Sequence, residues 1–513
     1  MNVQLRIRNV ASALGLLAVA ATLIVVVPVF REHRAYMRAI LFDAPREGEL
    51  AAGPAGRKKT TRFAPGQIMT LDPSGGFLMN SITNRPVFLT GESAWSLQVQ
   101  LSDEDARVYL DDRKSRGFNA IWVGLADNTY SDHPPADYYG NVPFNGPDFA
   151  NENPAYWSRV DATLLAAAER GITVLASPAF VGYGCKDGYC ESYRRSPAEV
   201  LRRYGEFLGN RYKGHSNIIW VIGGDANPLD SDVQSKLHAL AMGVRSTDPV
   251  HLMTSESYRG VSSFDVWSRT PWLDLDGLYL LPKDIPAKAH EAYLRGHPVF
   301  LFEDLYEDYK TLTATDLRAE GYWAVLSGCT LGRVFGNIAI WNFSARRETT
   351  LPWKPQLASE GSIGQEWLGK LFRSREHWKL VPDIDHRVMT AGYDPRAAYG
   401  RGREALRSLV RGLPERAPDT LSVAARTSDG RTIIAYLAAG GPTVSIDMNR
   451  ISDPSAQARA WWFNPRNGSS TMTGTFPTTG SARFTPPTAE DWVLVIDSLA
   501  AGWGAPGTAS PLR

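Results

Sequence analysis

The chain has 513 residues, with 55 Lys and Arg against 54 Asp and Glu for a net charge of +1. At about 100–200 residues per domain it holds two to four domains, and its balanced charge excludes the electrostatic footprint of a dedicated nucleic-acid binder. With 43% hydrophobic and 21% charged residues, it is neither a mostly disordered chain nor a polytopic membrane protein.

From Val10 to Phe30 the sequence runs 21 residues without a charge, flanked by Arg6 and Arg8 before and by Arg31 and Arg34 after. About 20 apolar residues span a bilayer as a helix, so residues 10–30 are expected to be a transmembrane helix or signal anchor, with 1–9 on the cytoplasmic side. The alternative is a cleaved secretory signal, since Ala18-Val19-Ala20 resembles a cleavage site, although the apolar run continues past it. Either way the rest of the chain is exported. Residues 31–63, rich in Ala, Gly and charge, have no apolar period and are expected to be a flexible linker.

Between residues 64 and 384 eight short apolar runs occur at 86–92, 119–125, 172–178, 218–224, 251–256, 277–281, 298–304 and 329–336. Amphipathic helical stretches separate them, with Gly repeatedly at the helix stops. Buried parallel strands read as apolar runs, so this alternation predicts an α/β fold, a (β/α)₈ TIM barrel. A doubly wound sheet would carry a Gly-rich phosphate loop after its first strand, and here Gly91-Glu92-Ser93-Ala94-Trp95 stands instead.

Barrel enzymes carry their chemistry at the C-terminal ends of strands. Those ends are acidic and aromatic: Glu92 and Trp95 after the first run, Gly223-Gly224-Asp225 after the fourth, Glu256 at the fifth, Glu303-Asp304 and then Tyr306-Glu307 after the seventh, and Asn337 and Trp341 after the eighth. Two carboxylates across a barrel mouth are what glycosidic bond cleavage requires, one as proton donor and one as nucleophile or base. The alternative for each is that it caps the following helix. Asp225 stands out because two glycines strip the strand end before it and leave room for a ligand. Asp225 is therefore expected to be the acid and Glu303 the nucleophile or base. Glu92, Trp95, Tyr306, Glu307, Asn337 and Trp341 are expected to bind the sugar. No metal or other cofactor is expected: three cysteines cannot build a four-thiolate zinc site, and His290-Glu291 lacks the second His of a zinc protease. Cys185 and Cys190 could close a short loop disulfide in an oxidising compartment.

Several stretches carry a resemblance to a known family: GESAWSLQVQLSDEDARVYLDDRKSRGFNAIWV, NPAYWSRVDATLLAAAERGITVLASP, YGEFLGNRYKGHSNIIWVIGGD, FEDLYED and GYWAVLSGCTLGRVFGNIAIWNF. In this order they resemble the apiosidase-like family, the group that includes glycoside hydrolase family 140. The resemblance implies a barrel acting on glycosides, with Asp225 at the aspartate of the family's GGD motif and Glu303 at the glutamate preceding its YED motif. The chain departs from the family pattern at three points. Glu92-Ser93 stands where GDTAW is usual, Gly336-Asn337-Ile338-Ala339-Ile340-Trp341 where GHNSIW is frequent, and Phe302-Glu303-Asp304 where Gly-Glu-Pro is usual.

Residues 385–500 change to short, β-branched, alternating segments separated by Gly, Pro and Asn-Gly turns, the pattern of a small C-terminal β-sandwich, followed by a tail at 501–513. Trp462-Phe463-Asn464-Pro465-Arg466-Asn467-Gly468 resembles the WYNPRTG motif of the domain that accompanies the family and carries a collagen-binding label. A sandwich can equally brace the barrel or bind glycan. The sequence thus points to a glycoside hydrolase-like enzyme anchored to a membrane by its N-terminal helix, with its catalytic domain outside the cytoplasm, acting on a polysaccharide or oligosaccharide and not on nucleic acid. A non-catalytic glycan-binding or polysaccharide-assembly protein that kept the barrel is the alternative.

Overall fold

The eight apolar runs become eight strands: β1 Leu89–Ser93, β2 Ala120–Gly124, β3 Thr173–Ser177, β4 Ile218–Ala226, β5 Leu252–Ser257, β6 Asp276–Tyr279, β7 Val299–Glu303 and β8 Gly332–Phe335. This is the arrangement of a computed structural model that describes residues 69–72, 74–310, 312–346, 349–393, 421–441 and 443–508. The expected membrane helix at 10–30 and linker at 31–63 lie outside the described residues. Among the described residues no helix is long and apolar enough to cross a membrane.

The strands pair in parallel in the order β5-β4-β3-β2-β1-β8-β7-β6. The ring is nearly closed: between β5 and β6 the Asp274 and Leu275 N–H groups donate to the Met253 carbonyl at 2.9 and 3.2 Å. A ninth short strand, Val261–Ser262, runs antiparallel to β6. The helices that follow the strands include α1 Asp103–Ser115, α2 Pro154–Glu169, α3 Ala198–Tyr212, α4 Ser231–Thr247, α5 Ser263–Trp267, α6 Ile285–Leu294, α7 Ala314–Ser327 and α8 Glu360–Arg373. Their starts are written in the sequence. The side chains of Ser102, Asn153, Asp230 and Ser359 each accept a backbone N–H of the first turn.

Successive strand residues face opposite sides, and this alternation sorts the core into two layers. Leu89, Ala120, Trp122, Leu175, Ile219, Val221, Phe300 and Phe302 fill the barrel interior. Ile121, Val123, Val174, Ala176, Ile218, Trp220 and Ile222 face the helices. Two irregularities break the alternation at strand ends. Gly223 sits opposite Glu256 but Ala226 opposite Ser257, so Gly224 and Asp225 are extra residues in β4. Leu278 sits opposite Leu301 and Tyr279 opposite Glu303, so Phe302 is extra in β7. Such bulges re-aim side chains and concentrate near active sites.

After α8 the chain turns to antiparallel structure: β9 Leu380–Pro382, β10 Met389–Ala391, β11 Val423–Thr427, β12 Thr432–Leu437, β13 Val444–Asp447, β14 Gln457–Phe463, β15 Ser470–Pro477, β16 Ser481–Phe484 and β17 Trp492–Ser498. They form one sheet in the order β9-β11-β12-β17-β14-β15 and a second in the order β10-β13-β16. Between them Ile433, Ala435, Leu437, Val444, Ile446, Ala460, Leu494 and Ile496 form a core. The sandwich thus starts at β9, a few residues before the change of composition at 385, because Leu380–Pro382 pairs with β11. Its larger sheet also packs on the barrel. Tyr322 of α7 stacks on Tyr436 at 4.9 Å, and Trp323 donates its indole N–H to the Leu421 carbonyl at 2.9 Å.

Candidate active site

Strand parity decides which strand-end residues face the mouth. In β1, Gly91 and Ser93 pair beside the inward residues Ala120 and Trp122, whereas Glu92 pairs beside outward Ile121. Glu92 therefore points at the helices. It is fully buried, accepting from Tyr109 Oη at 2.6 Å and from Arg113 Nη1 at 2.7 Å, both on α1. Burial raises its pKa and the Arg113 charge opposes that rise. The structure therefore places this expected sugar ligand in a structural ion pair. Glu307 and Asn337 are buried as well. Glu307 accepts from Asn337 Nδ2 at 2.9 Å, Ser359 Oγ at 2.5 Å and Gly361 N at 2.6 Å, so it secures the start of α8. Glu307 thus braces α8, a helix remote from it in sequence, and does not cap α7, the helix that follows it; Asn337 serves as its partner in the fold.

The bulges have the opposite effect on Asp225 and Glu303. Asp225 adopts a left-handed conformation with φ of 53°, which Asp tolerates better than most residues. Its backbone N–H donates to Glu256 Oε2. Gly224 before it has φ of 109°, and a Cβ there would lie 2.5 Å from the Phe180 ring, so only Gly lets the bulge approach that aromatic wall. Parity alone would turn Glu303 outward after inward Phe302; the extra residue turns it back. Glu303 Oε1 accepts from Tyr306 Oη at 2.9 Å, and that hydroxyl lies 2.9 Å from Ser93 Oγ.

Asp225, Glu256 and Glu303 thus meet at one end of the barrel. Burial pushes the Asp225 pKa up to about 7, with the Arg259 charge opposing. Burial also raises Glu256 and Glu303, and in both the charge of Asp225 adds to the rise. At Glu303 the Tyr306 hydrogen bond and Arg259 oppose it. Arg259 is held by Tyr279 Oη, at 3.3 Å from Nε and 3.1 Å from Nη2.

Aromatic rings surround these carboxyls. Trp95 packs on Trp122 and Phe180 at 4.0 and 4.9 Å, and Tyr130 lies 5.4 Å from Phe180 and 4.8 Å from Trp341. Trp341 in turn lies 6.3 Å from Tyr306. The structure therefore brings Trp95, Tyr306 and Trp341 together with Asp225 and Glu303. Tyr183 stacks on Tyr258 at 5.2 Å from the loop in which Cys185 and Cys190 are disulfide-bonded. In that loop Asp187 accepts from Tyr130 Oη at 2.6 Å, while the Gly182 N–H donates to the Gly224 carbonyl at 3.1 Å.

Sequence reasoning assigned no role to Glu256, Arg259, Tyr130, Phe180 or Asp187. Glu256 had a legible signal, an acidic residue at the end of an inward-parity strand. The others sit in loops whose course no periodicity reports.

The comparisons agree with this architecture. A family model described as "Apiosidase-like, catalytic domain" matches residues 73–379, more than half of the chain. A second, described as "Putative collagen-binding domain of a collagenase", matches residues 407–497. One solved structure, titled "Glycoside hydrolase", is 22% identical with a TM-score of 0.69, over 85% of this chain and 98% of its own. A glycoside hydrolase family 5 structure from Bacteroides vulgatus ATCC 8482 is 22% identical with a TM-score of 0.70, over 84% of this chain and 94% of its own. At these identities the structural likeness concerns the fold. No significant match is found among curated protein sequences. On the match across residues 73–379, the chain belongs to the apiosidase-like family and carries its glycoside hydrolase catalytic domain.

Proposed function

We propose that this chain hydrolyses a glycosidic bond in a polysaccharide or oligosaccharide outside the cytoplasm, with Asp225 as proton donor to the leaving oxygen and Glu303 as nucleophile or base. The observation that supports the reading is the pair of bulges at the ends of β4 and β7, where burial acts on both Asp225 and Glu303 and the charge of Asp225 reaches Glu303. The two environments differ in a way that fits two roles. Asp225 Oδ1 is buried with no hydrogen-bond partner among the described residues, which favours the neutral acid. Burial and the Asp225 charge raise Glu303 too, and there the Tyr306 hydroxyl that it accepts and the Arg259 charge oppose the rise, in the direction a nucleophile or base needs. In the reaction Asp225 delivers its proton as the bond to the leaving oxygen breaks. Glu303 meanwhile attacks the anomeric carbon or takes a proton from the attacking water. Trp95, Tyr306 and Trp341 supply faces for sugar ring C–H groups.

The test is a glycan library screened for released sugar, followed by Asp225→Asn and Glu303→Gln on the substrate found. Each variant is expected to lose about 10³-fold or more in turnover while keeping its melting temperature near or above that of the wild type. Near-normal turnover in either would overturn the assignment, and retained glycan binding with no turnover in the wild type would favour a binding protein.

The proposal includes the membrane anchor at residues 10–30, supported by the length of the apolar run. Mass spectrometry of the membrane fraction is expected to find the intact N-terminus. A soluble mature form starting near Ala21 would overturn it in favour of a secreted enzyme.

A further inference from the structure

Glu256 is a third carboxyl in the mouth, and the hydrolysis proposed above uses only two. Its side chain lies within the barrel, 1% exposed, on β5 directly opposite Gly223. Its Oε2 accepts the N–H of Asp225, the one residue of the β4 bulge whose side chain the reaction needs. Without that acceptor the bulge would leave a backbone donor unpaired beside an apolar wall. Its Oε1 is buried with no hydrogen-bond partner among the described residues.

The groups that act on it are Asp225 from β4, Glu303 from β7 and Arg259 from the loop after β5, with Arg259, itself held by Tyr279 of β6, the cation among them. Arg259 already serves Asp225 and Glu303. A second or third anion in this enclosed space is disfavoured by desolvation and by like charge.

We propose that Glu256 is a positioning residue held as a neutral carboxylic acid, acting through Oε2 as the acceptor that fixes the backbone of Asp225, and so aims the acid at the glycosidic oxygen. This rests on the assignment of Asp225 as the acid. The role asks for an acceptor oxygen and no charge, so glutamine can fill it and alanine cannot.

Three measurements on the full-length protein test it. On the glycan identified by the screen, Glu256→Gln is expected to keep kcat within about threefold of wild type, and Glu256→Ala to lose about 10²-fold in kcat with KM little changed, the cost of a misplaced catalytic group. In the infrared spectrum at pH 6, where an ordinary glutamate is ionised, wild type minus Glu256→Gln is expected to show the carbonyl band of one buried protonated carboxyl. In crystal structures Asp225 is expected to keep its left-handed backbone in Glu256→Gln and to lose it in Glu256→Ala. Glu256→Ala with wild-type kcat and an unmoved Asp225 would overturn the proposal, as would an ionised carboxylate signature for Glu256 or Glu256→Gln as impaired as Glu256→Ala. Failure of the underlying assignment reads differently: Asp225→Asn would then stay active, whatever the infrared and crystallographic results at Glu256.

Discussion

Asp225 carries its functional property as a cost to the fold. An acid whose folded pKa is about 7 against an ordinary value of 3.8 keeps its proton in the native state at pH values where the unfolded chain has released it. The native state then binds more protons than the unfolded state between about pH 4 and 7, so stability falls as pH rises through that window and levels off above it. Asp225→Asn removes the ionisable group and the cost. Calorimetry is expected to find this variant more stable than wild type at pH 8 and equal to it at pH 3. The same ionisation sets the alkaline limb of activity, because the proton donor is lost as pH rises through about 7. A wild-type kcat/KM that stays flat from pH 6 to 9 would contradict the acid role.

At the scale of elements, the barrel separates packing from chemistry by strand parity. Glu92, the last residue but one of β1, stands one residue out of phase with the mouth, and the outward face makes it a strut between β1 and α1. Its partner Arg113 also donates to the Leu357 carbonyl at 2.5 Å and to Ser362 Oγ at 3.0 Å, so one ion pair ties β1 and α1 to the approach of α8. Removing one member of a buried pair leaves the other charge uncompensated, at a cost of about 3–5 kcal/mol. Glu92→Gln is expected to fall near the low end of that range in urea unfolding, because Asp112 still contacts Arg113 at 2.5 Å. The kcat of the folded variant is expected to match wild type. A large loss of kcat with unchanged stability would place Glu92 in the sugar site instead.

Across the whole molecule, the sandwich acts as a wall of the barrel. Asp491, at the foot of β17, accepts both Nε and Nη2 of Arg318 on α7 at 3.0 Å each, and Arg466 Nη1 at 2.8 Å. Arg375 after α8 clamps Asp497 at 3.0 and 2.7 Å in the same way. Apolar residues continue across the seam: Leu368, Leu371 and Phe372 of α8 share a cluster with Val423, Ile434 and Val493. The wild type is therefore expected to unfold in one calorimetric transition. Asp491→Ala strands Arg318 at a buried seam, while Arg466 keeps Glu490 and the Asp491 carbonyl, with an expected loss of about 3–5 kcal/mol and a split into two transitions. A single transition in the variant at the wild-type temperature would show that the seam contributes nothing.

The sequence by itself determined the strands, the helix starts and the order of the two domains. Each is encoded locally, by apolar runs such as IIWVIGG, by caps such as Ser102 and Asn153, and by β-branched alternation after residue 421. It also determined that Asp225 and Glu303 stand at strand ends. Only the tertiary structure decided which strand-end residues meet. A strand shows two faces with a period of two, and a single extra residue exchanges them. The bulge at Phe302 turns Glu303 inward, the bulge at Gly224-Asp225 brings Asp225 to Glu256, and the unbulged β1 leaves Glu92 facing α1. Such bulges depend on the pairing of two strands whose partners are distant in the chain, which is why no local pattern announces them.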